Sequence, residues 1–236
     1  MYSLAWFDTF ALSQSADALE AELAAVESIA PPRHYPTVLD IGCGVGRASA
    51  GLIRRGYRVT GIDVNGEALA RARDRVPEAE FVQLDQRRVT ELTGPFDLAL
   101  ILWHSIGYAS RADDEETIQS VGQVLRPGGV FLLDLFHPDW LAANGRSGYQ
   151  DDRGATIHRH TRDGRCINRI EYAAGGVDNI EFNVYAPHEM TLIAEAAGFD
   201  MAAPIAWWRP ELQAGSEHAR FQLICRKRAG REQSST

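Results

Sequence analysis

Three glycines, Gly42, Gly44 and Gly46, close an apolar run in the segment 38–46, VLDIGCGVG. A strand that ends in glycines and runs straight into a helix lets the backbone approach a ligand closely, because glycine has no Cβ to hold it off. In a parallel sheet such a loop lies at the carboxyl edge of the strands, where ligands bind. Acids stand at matching places further on: Asp63 closes VTGIDV and Asp85 closes FVQLDQ. A carboxylate at Asp63 can accept hydrogen bonds from both hydroxyls of a ribose, and one at Asp85 can accept from the exocyclic amine of an adenine. A tight structural turn uses the same glycines, and a helix cap or turn the same acids, so the weight falls on the combination. The dinucleotide fingerprint asks for glycine where this chain has Arg47, which argues against NAD.

Two histidines follow later strands at the same edge, His104 in LWHSIGY and His137 in LFHPDW. Each is a candidate general base, with a hydrogen bond to a neighbouring loop as the ordinary alternative. His158 and His160 alternate along a strand, a spacing two metal ligands share, but no nearby cysteine or carboxylate completes a set and no metal is expected. Arg153, Arg159, Arg162, Arg165 and Arg169 make the same region locally basic. They would attract a carboxylate or phosphate on a substrate, or simply form a solvated hairpin face. Tyr2, Trp6, Phe7 and Phe10 gather near the start of the chain, where aromatic rings either pack into a core or embrace a cation.

The elements that must position these residues read as follows. Leu19, Leu23, Val26 and Ile29 fall at helical spacing, which predicts a helix over 13–30 stopped by Pro31 and Pro32. Strands over 37–41, 57–62, 80–84, 96–103 and 129–136 alternate with helices over 47–55, 67–75 and 113–125. This alternation implies parallel strands joined by right-handed crossovers. The rhythm then changes to short strands over 155–161, 166–173 and 178–185, joined by Asp163-Gly164 and Gly175-Gly176 turns. A helix over 187–197 and strands over 199–207 and 220–226 complete the chain, with a frayed tail from 228. The expected fold is α/β: a doubly wound, mostly parallel, seven-stranded Rossmann-like sheet with an antiparallel β insertion after the fifth strand. It forms a single domain over 1–236, divided into an N-terminal lid and helix (1–35), a cofactor-binding core (36–139), a cap (140–186) and a C-terminal helix with the last two strands (187–227).

With 236 residues, 45% hydrophobic and 24% charged, the chain suits one ordinary globular core. A formal charge of −8 is the wrong sign for a phosphate backbone, so no nucleic-acid partner is expected. Three cysteines, with no CxxC pair, fit a reducing cytoplasm. The start of the chain lacks the basic and apolar regions of a signal peptide, and runs such as LALILW and VFLLDLF are far too short to span a bilayer. No membrane partner is expected, and the chain is read as cytoplasmic, a monomer or homodimer.

Together with LRPGG at 125–129, these segments resemble the class I S-adenosylmethionine-dependent methyltransferases, small-molecule type. The resemblance covers 36–136. It implies S-adenosyl-L-methionine as cofactor and S-adenosyl-L-homocysteine as product. Asp40 and the loop residues Gly42, Cys43, Gly44 and Gly46 would hold the methionine part and ribose, Asp63 with Val64 the ribose, and Asp85 with Gln86 the adenine. Leu102 and Trp103 would line the methyl-donor end, and Tyr2 and Trp6 would belong to a lid. Val45 departs from the threonine or serine often found in this loop. The insertion would cap a small-molecule methyl acceptor, with Tyr149, Asn183 and Tyr185 as its polar contacts.

Methyl transfer from a sulfonium needs alignment and exclusion of water more than acid–base chemistry. An amine has only to be neutral, whereas a hydroxyl benefits from a base such as His104 or His137. The expected acceptor is an oxygen or nitrogen of a secondary metabolite or amino sugar, and SIGY at 105–108 is similar to a segment of amino-sugar N-methyltransferases of antibiotic biosynthesis. Two rivals remain: a nicotinamide-dependent oxidoreductase, and a protein that keeps S-adenosylmethionine as scaffold or regulator without methyl transfer.

Overall fold

In the computed structural model, residues 2–11, 15–145, 147–151 and 153–229 are described. A helical turn, α1 (Leu4–Trp6), passes into a wide π turn over Phe7–Ala11, and the long helix α2 (Ala16–Ile29) follows. Ser15 caps α2 by accepting the Ala18 N–H at 3.1 Å, so the helix begins later than 13, and Ser13 itself lies outside the described residues. Next come β1 (Thr37–Ile41), α3 (Arg47–Arg54), β2 (Arg58–Asp63), α4 (Gly66–Arg75), β3 (Glu80–Gln83), β4 (Phe96–Ile101), α5 (Arg111–Val124) and β5 (Leu125–Phe136). The insertion holds α6 (Pro138–Ala143), β6 (Tyr149–Gln150), β7 (Thr156–Arg162), β8 (Arg165–Glu171) and β9 (Val177–Asn183). The chain then forms α7 (Pro187–Ala196), β10 (Phe199–Met201), β11 (Ile205–Ala206), β12 (Arg209–Gln213) and β13 (Arg220–Lys227).

The main sheet runs in the order β12-β11-β13-β5-β4-β1-β2-β3, with β10 also paired to β13. Strands β1 to β5 are parallel and β13 is antiparallel to β5. The doubly wound α/β architecture is as expected, but the sheet has nine strands rather than seven. Pro204 stands in the run read as one strand, which divides into β10 and β11, and the unforeseen β12 adds an edge. Because β1 lies between β4 and β2, the crossovers diverge there and a crevice opens beyond the carboxyl ends of β1 and β4.

Both faces of the sheet are buried. Leu39, Ile62, Phe131 and Leu133 pack with Ile118, Val121 and Met190 from α5 and α7. Val38, Leu100 and Leu132 pack on the other face with Leu23, Val26 and Leu52 from α2 and α3. Burying each of these side chains contributes about 1.5–3 kcal/mol, which explains why β5 reads as a continuous apolar run. Among the described residues no helix is long and apolar enough to cross a membrane.

The insertion forms its own antiparallel sheet, β6-β7-β8-β9, one strand richer than the sequence suggested. Asp163 and Gly164, at φ 51° and 72°, make the tight turn between β7 and β8. One acid ties this sheet to the core. Asp114 of α5, 1% exposed, accepts from the Gly107 N–H (3.0 Å), Asn183 Nδ2 (2.8 Å) and the Tyr185 hydroxyl (2.5 Å). Asp114→Ala strands three buried donors and should lower stability by about 3 kcal/mol in urea unfolding; a loss below about 0.5 kcal/mol would contradict this anchoring role.

Candidate active site

The glycine loop is built on the end of β2. The N–H groups of Gly42 and Cys43 donate to the Ile62 carbonyl at 2.8 and 3.0 Å, and the Gly44 N–H donates to Asp63 Oδ2 at 2.9 Å. Asp63 Oδ1 accepts from the Asn65 N–H at 2.8 Å, so both of its oxygens are oriented by backbone while retaining lone pairs toward the cavity. Burial raises the Asp63 pKa. Gly44, at φ 53°, carries the ring of Phe7 against it: a Cβ there would lie 2.5 Å from Phe7 Cε1. The loop and the N-terminal turn therefore fit only with glycine at this position.

A cavity of about 340 Å³ opens on this loop, within the range of small-molecule sites. Asp40, Gly42, Cys43, Gly44, Asp63, Val64, Asp85, Gln86, Leu102, Trp103, Tyr2 and Trp6, all candidates from the sequence, line it. Asp40 is 2% exposed, accepts the Ser49 hydroxyl at 2.6 Å, and is pushed up to about 6 by burial. Asp85 is paired bidentately with Arg87 (3.0 and 2.6 Å), which holds its carboxyl below the usual range and bridges on to Asp113 at 3.2 Å.

At the opposite end the wall contains a group that sequence reasoning had used only to exclude NAD. Arg47 stacks 4.6 Å over the Trp103 ring, and its Nη1 is buried without a partner. Glu22 of α2 lies 3.9 Å from Arg47 and accepts the Trp103 indole N–H at 3.1 Å, while its Oε1 is likewise unpartnered. Burial, with Asp134 nearby, pushes Glu22 up to about 6. Arg47 lines the cavity, where a guanidinium suits a carboxylate ligand, and its signal in the sequence was position alone, one residue beyond the third glycine.

The mouth is aromatic. Tyr2 stacks on Trp6 at 4.2 Å between centroids, and the Tyr108 hydroxyl donates to the Tyr2 hydroxyl at 3.2 Å. Tyr108 lines the cavity and belongs to SIGY, the segment singled out earlier without assigning it a role. Burial pushes the Tyr2 phenol up to about 12.

Six candidates lie off the cavity wall. Gly46 starts α3 at φ 71° and faces Ala72 and Phe81. His104 is 1% exposed with both ring nitrogens committed: the Phe136 N–H donates to Nδ1 at 3.1 Å, which leaves Nε2–H to donate to the Asn183 carbonyl at 3.0 Å. Burial pushes its pKa down to about 4, so it is a neutral pin between β4, β5 and β9. His137 caps α6 and faces a separate groove with Asp139 and His188. Asn183 and Tyr185 are buried on Asp114, and Tyr149 packs beside the cluster of Trp6, Phe10 and Tyr172. The three polar residues assigned to the cap thus secure the cap instead of lining the cavity.

The loop after β1, the acids ending β2 and β3, and the crevice at the switch point are the features on which the resemblance to class I S-adenosylmethionine-dependent methyltransferases rests. Residues 38–129 match the family model described as a methyltransferase domain. The chain spans 41% to 50% of the length of curated bacterial methyltransferases that share 32% to 38% identity with it. It is similar to the dTDP-3-amino-3,4,6-trideoxy-alpha-D-glucopyranose N,N-dimethyltransferase of Streptomyces venezuelae, 25% identical over 170 residues, 71% of this chain and 68% of that protein. A solved S-adenosylmethionine-dependent methyltransferase from Clostridium acetobutylicum shares the fold with a TM-score of 0.77, 14% identity and coverage of 95% and 96%. So does S-adenosylmethionine-bound CalS10, an amino pentose methyltransferase from Micromonospora echinaspora, with a TM-score of 0.67, 20% identity and coverage of 96% and 98%.

The committed nitrogens of His104 generate a pH-dependent prediction. An unfolded histidine takes up a proton near pH 6.5 and the folded ring only near 4, so its stabilisation is complete above about pH 6.5 and declines as pH falls toward 4. The stability gap between wild type and His104→Gln should therefore narrow by up to about 3 kcal/mol across that window. Glu22 and Asp40 titrate in both proteins and cancel from the difference. Chemical denaturation from pH 7 to 4 measures it, and a constant gap would mean that the folded ring takes up its proton as readily as the unfolded one.

Proposed function

We propose that the protein transfers a methyl group from S-adenosylmethionine to a nitrogen of a small amine, with amino sugars as the best-fitting acceptor class. The observation that carries the choice of nitrogen is the cavity wall, which among the described residues offers no free base. Asp40, Asp63 and Asp85 are engaged with Ser49, backbone N–H groups and Arg87, and Asp114 with three donors. Asp113 is held by Ser110 and Arg87, and the Tyr2 phenol stays protonated at neutral pH. No histidine lines the cavity. A hydroxyl acceptor would lack help in losing its proton, whereas an amine that arrives neutral needs none.

Bound S-adenosylmethionine supplies a methyl group activated by its sulfonium. Asp63 would hold the ribose and Gln86 with the Asp85–Arg87 pair the adenine, while Arg47 and Asp40 would hold the carboxylate and ammonium of the methionyl end. Trp6, Tyr2 and Trp103 exclude water from the transfer, and the paired hydroxyls of Tyr2 and Tyr108 orient the acceptor nitrogen. The similarity to the amino-sugar N,N-dimethyltransferase of Streptomyces venezuelae supports the acceptor class.

Two outcomes are expected. S-adenosylhomocysteine binds in calorimetry, and Asp63→Ala weakens it about ten- to a hundredfold, as loss of charged hydrogen bonds predicts. In a product-release assay over paired amino and hydroxy sugars, only the amines turn over, with kcat/KM rising as the amine loses its proton. Tyr108→Phe lowers kcat/KM about tenfold while cofactor affinity holds. Turnover confined to hydroxy sugars, or binding without transfer to any amine, would refute the assignment.

A further inference from the structure

Two buried charges meet at the Arg47 end of the cavity, and each has an atom left over. Arg47 lines the cavity, and Glu22 behind it is 6% exposed. They lie 3.9 Å apart, beyond hydrogen-bond reach, and both contacts of the acid fall on one oxygen: Oε2 faces Arg47 Nη2 and accepts the Trp103 indole N–H at 3.1 Å. Glu22 Oε1 and Arg47 Nη1 are buried without partners. A buried polar atom without a partner lowers stability. Two of them in one ion pair are accounted for if a ligand completes the pair.

The fixed charges around this pair balance. Arg47 from α3, Asp134 from β5 and Arg220 from β13 act on Glu22, together with the Trp103 indole after β4. Asp134 is committed, since each of its oxygens takes two donors: Arg220 Nε and Gln222 Nε2 on one, Arg220 Nη2 and the Trp103 N–H on the other. Two acids thus face two guanidiniums. A ligand carboxylate arriving at Arg47 makes three acids for the same two cations, and like charges sharing one site cannot all stay ionised. The ammonium of a methionyl group brings no relief, because Asp40 in the same wall is a further acid to balance it. An α-carboxyl ionises near about pH 3.5, so the ligand keeps its charge. Glu22 alone has a free oxygen, and burial, reinforced by the charge of Asp134, already pushes it up to about 6.

We propose that Glu22 is a positioning residue that holds Arg47 until the donor arrives, then yields the guanidinium to the donor's carboxylate and takes one proton from solvent onto its own carboxyl. Arg47 exchanges one carboxylate partner for another, and the protonated Glu22 keeps Oε2 as acceptor for the Trp103 indole. The inference rests on the methyltransferase reading above and adds a link between donor binding and pH. Because the bound state holds the extra proton, affinity falls as pH rises.

The test titrates the full chain with S-adenosylhomocysteine in buffers of different ionisation heat at pH 7.5, and repeats the titration at pH 6.5 and 8. Wild type takes up about half a proton, and binds about three- to tenfold tighter at pH 6.5 than at pH 8. Glu22→Gln, which imitates the protonated acid, takes up none, varies less than about twofold with pH, and at pH 8 binds tighter than wild type. A merely structural role predicts weaker binding by that variant at every pH. Asp40, pushed up to about 6, and Asp63 titrate alike in both proteins and cancel from the difference. Methylthioadenosine, which ends at the sulfur and has no carboxylate, binds wild type without proton uptake, an arm that needs no variant to fold. The proposal is overturned if wild type takes up no proton with S-adenosylhomocysteine, if Glu22→Gln takes up as much or binds more weakly at both pH values, or if uptake persists with methylthioadenosine. Failure of wild type to bind S-adenosylhomocysteine would instead count against the methyltransferase reading.

Discussion

One buried carboxylate at the end of β5 shapes the site. Asp134 is 2% exposed, and its oxygens take the Trp103 N–H (3.1 Å), Arg220 (3.0 and 2.5 Å) and Gln222 Nε2 (2.8 Å), while its carbonyl takes the His104 N–H (2.9 Å). Isolated burial of such a charge would cost several kcal/mol; here a two-pronged arginine and two neutral donors offset it. The exit of β4 is consequently bent. Trp103 and His104 sit in the left-handed region at φ 56° and 59°, a conformation that costs non-glycine residues about 1–3 kcal/mol and persists only where the surroundings over-determine it.

That bend directs two side chains in two directions. The Trp103 indole reaches Glu22 on α2 and lies beneath Arg47, so α2 is tied to two residues of the cavity wall. The His104 ring, one residue on, bridges the Phe136 N–H and the Asn183 carbonyl, so the insertion is secured to the core beside the same cavity. From the other side Asp178 of β9 accepts the N–H and hydroxyl of Ser3, at 3.1 and 2.9 Å, and draws the N-terminal turn over the opening. The N-terminal turn, the cavity and the insertion are therefore one packed assembly, held by few buried polar groups. Glu22 Oε1 and Arg47 Nη1 stay unpartnered within it, and the satisfied remainder rigidifies its surroundings.

The core was legible because its signals are local. Continuous apolar runs, the glycines after β1 and the acids after β2 and β3 depend on neighbours within a few residues, and twelve of the thirteen cofactor candidates, Gly46 being the exception, line one cavity. What the sequence concealed depends on distant partners. His104 looks like a base by position, and only contacts to Phe136 and Asn183, 32 and 79 residues away, occupy both of its nitrogens. Asn183 and Tyr185 look like polar residues of a cap, but Asp114 claims them from 69 and 71 residues away. The two-residue strand β11 carries too few residues for an alternating pattern to emerge, and edge strand β12 is mostly exposed and holds a proline, which hides it as a strand.

Charge also works at two ranges in this molecule. With a formal charge of −8 the whole chain repels anions at a distance, yet ionic screening confines that effect to about 8 Å at physiological salt. Inside that range the buried charges decide. Paired acids beside Arg47 and Arg220 neutralise the cations next to the cavity, where uncompensated positive charge would disfavour a sulfonium.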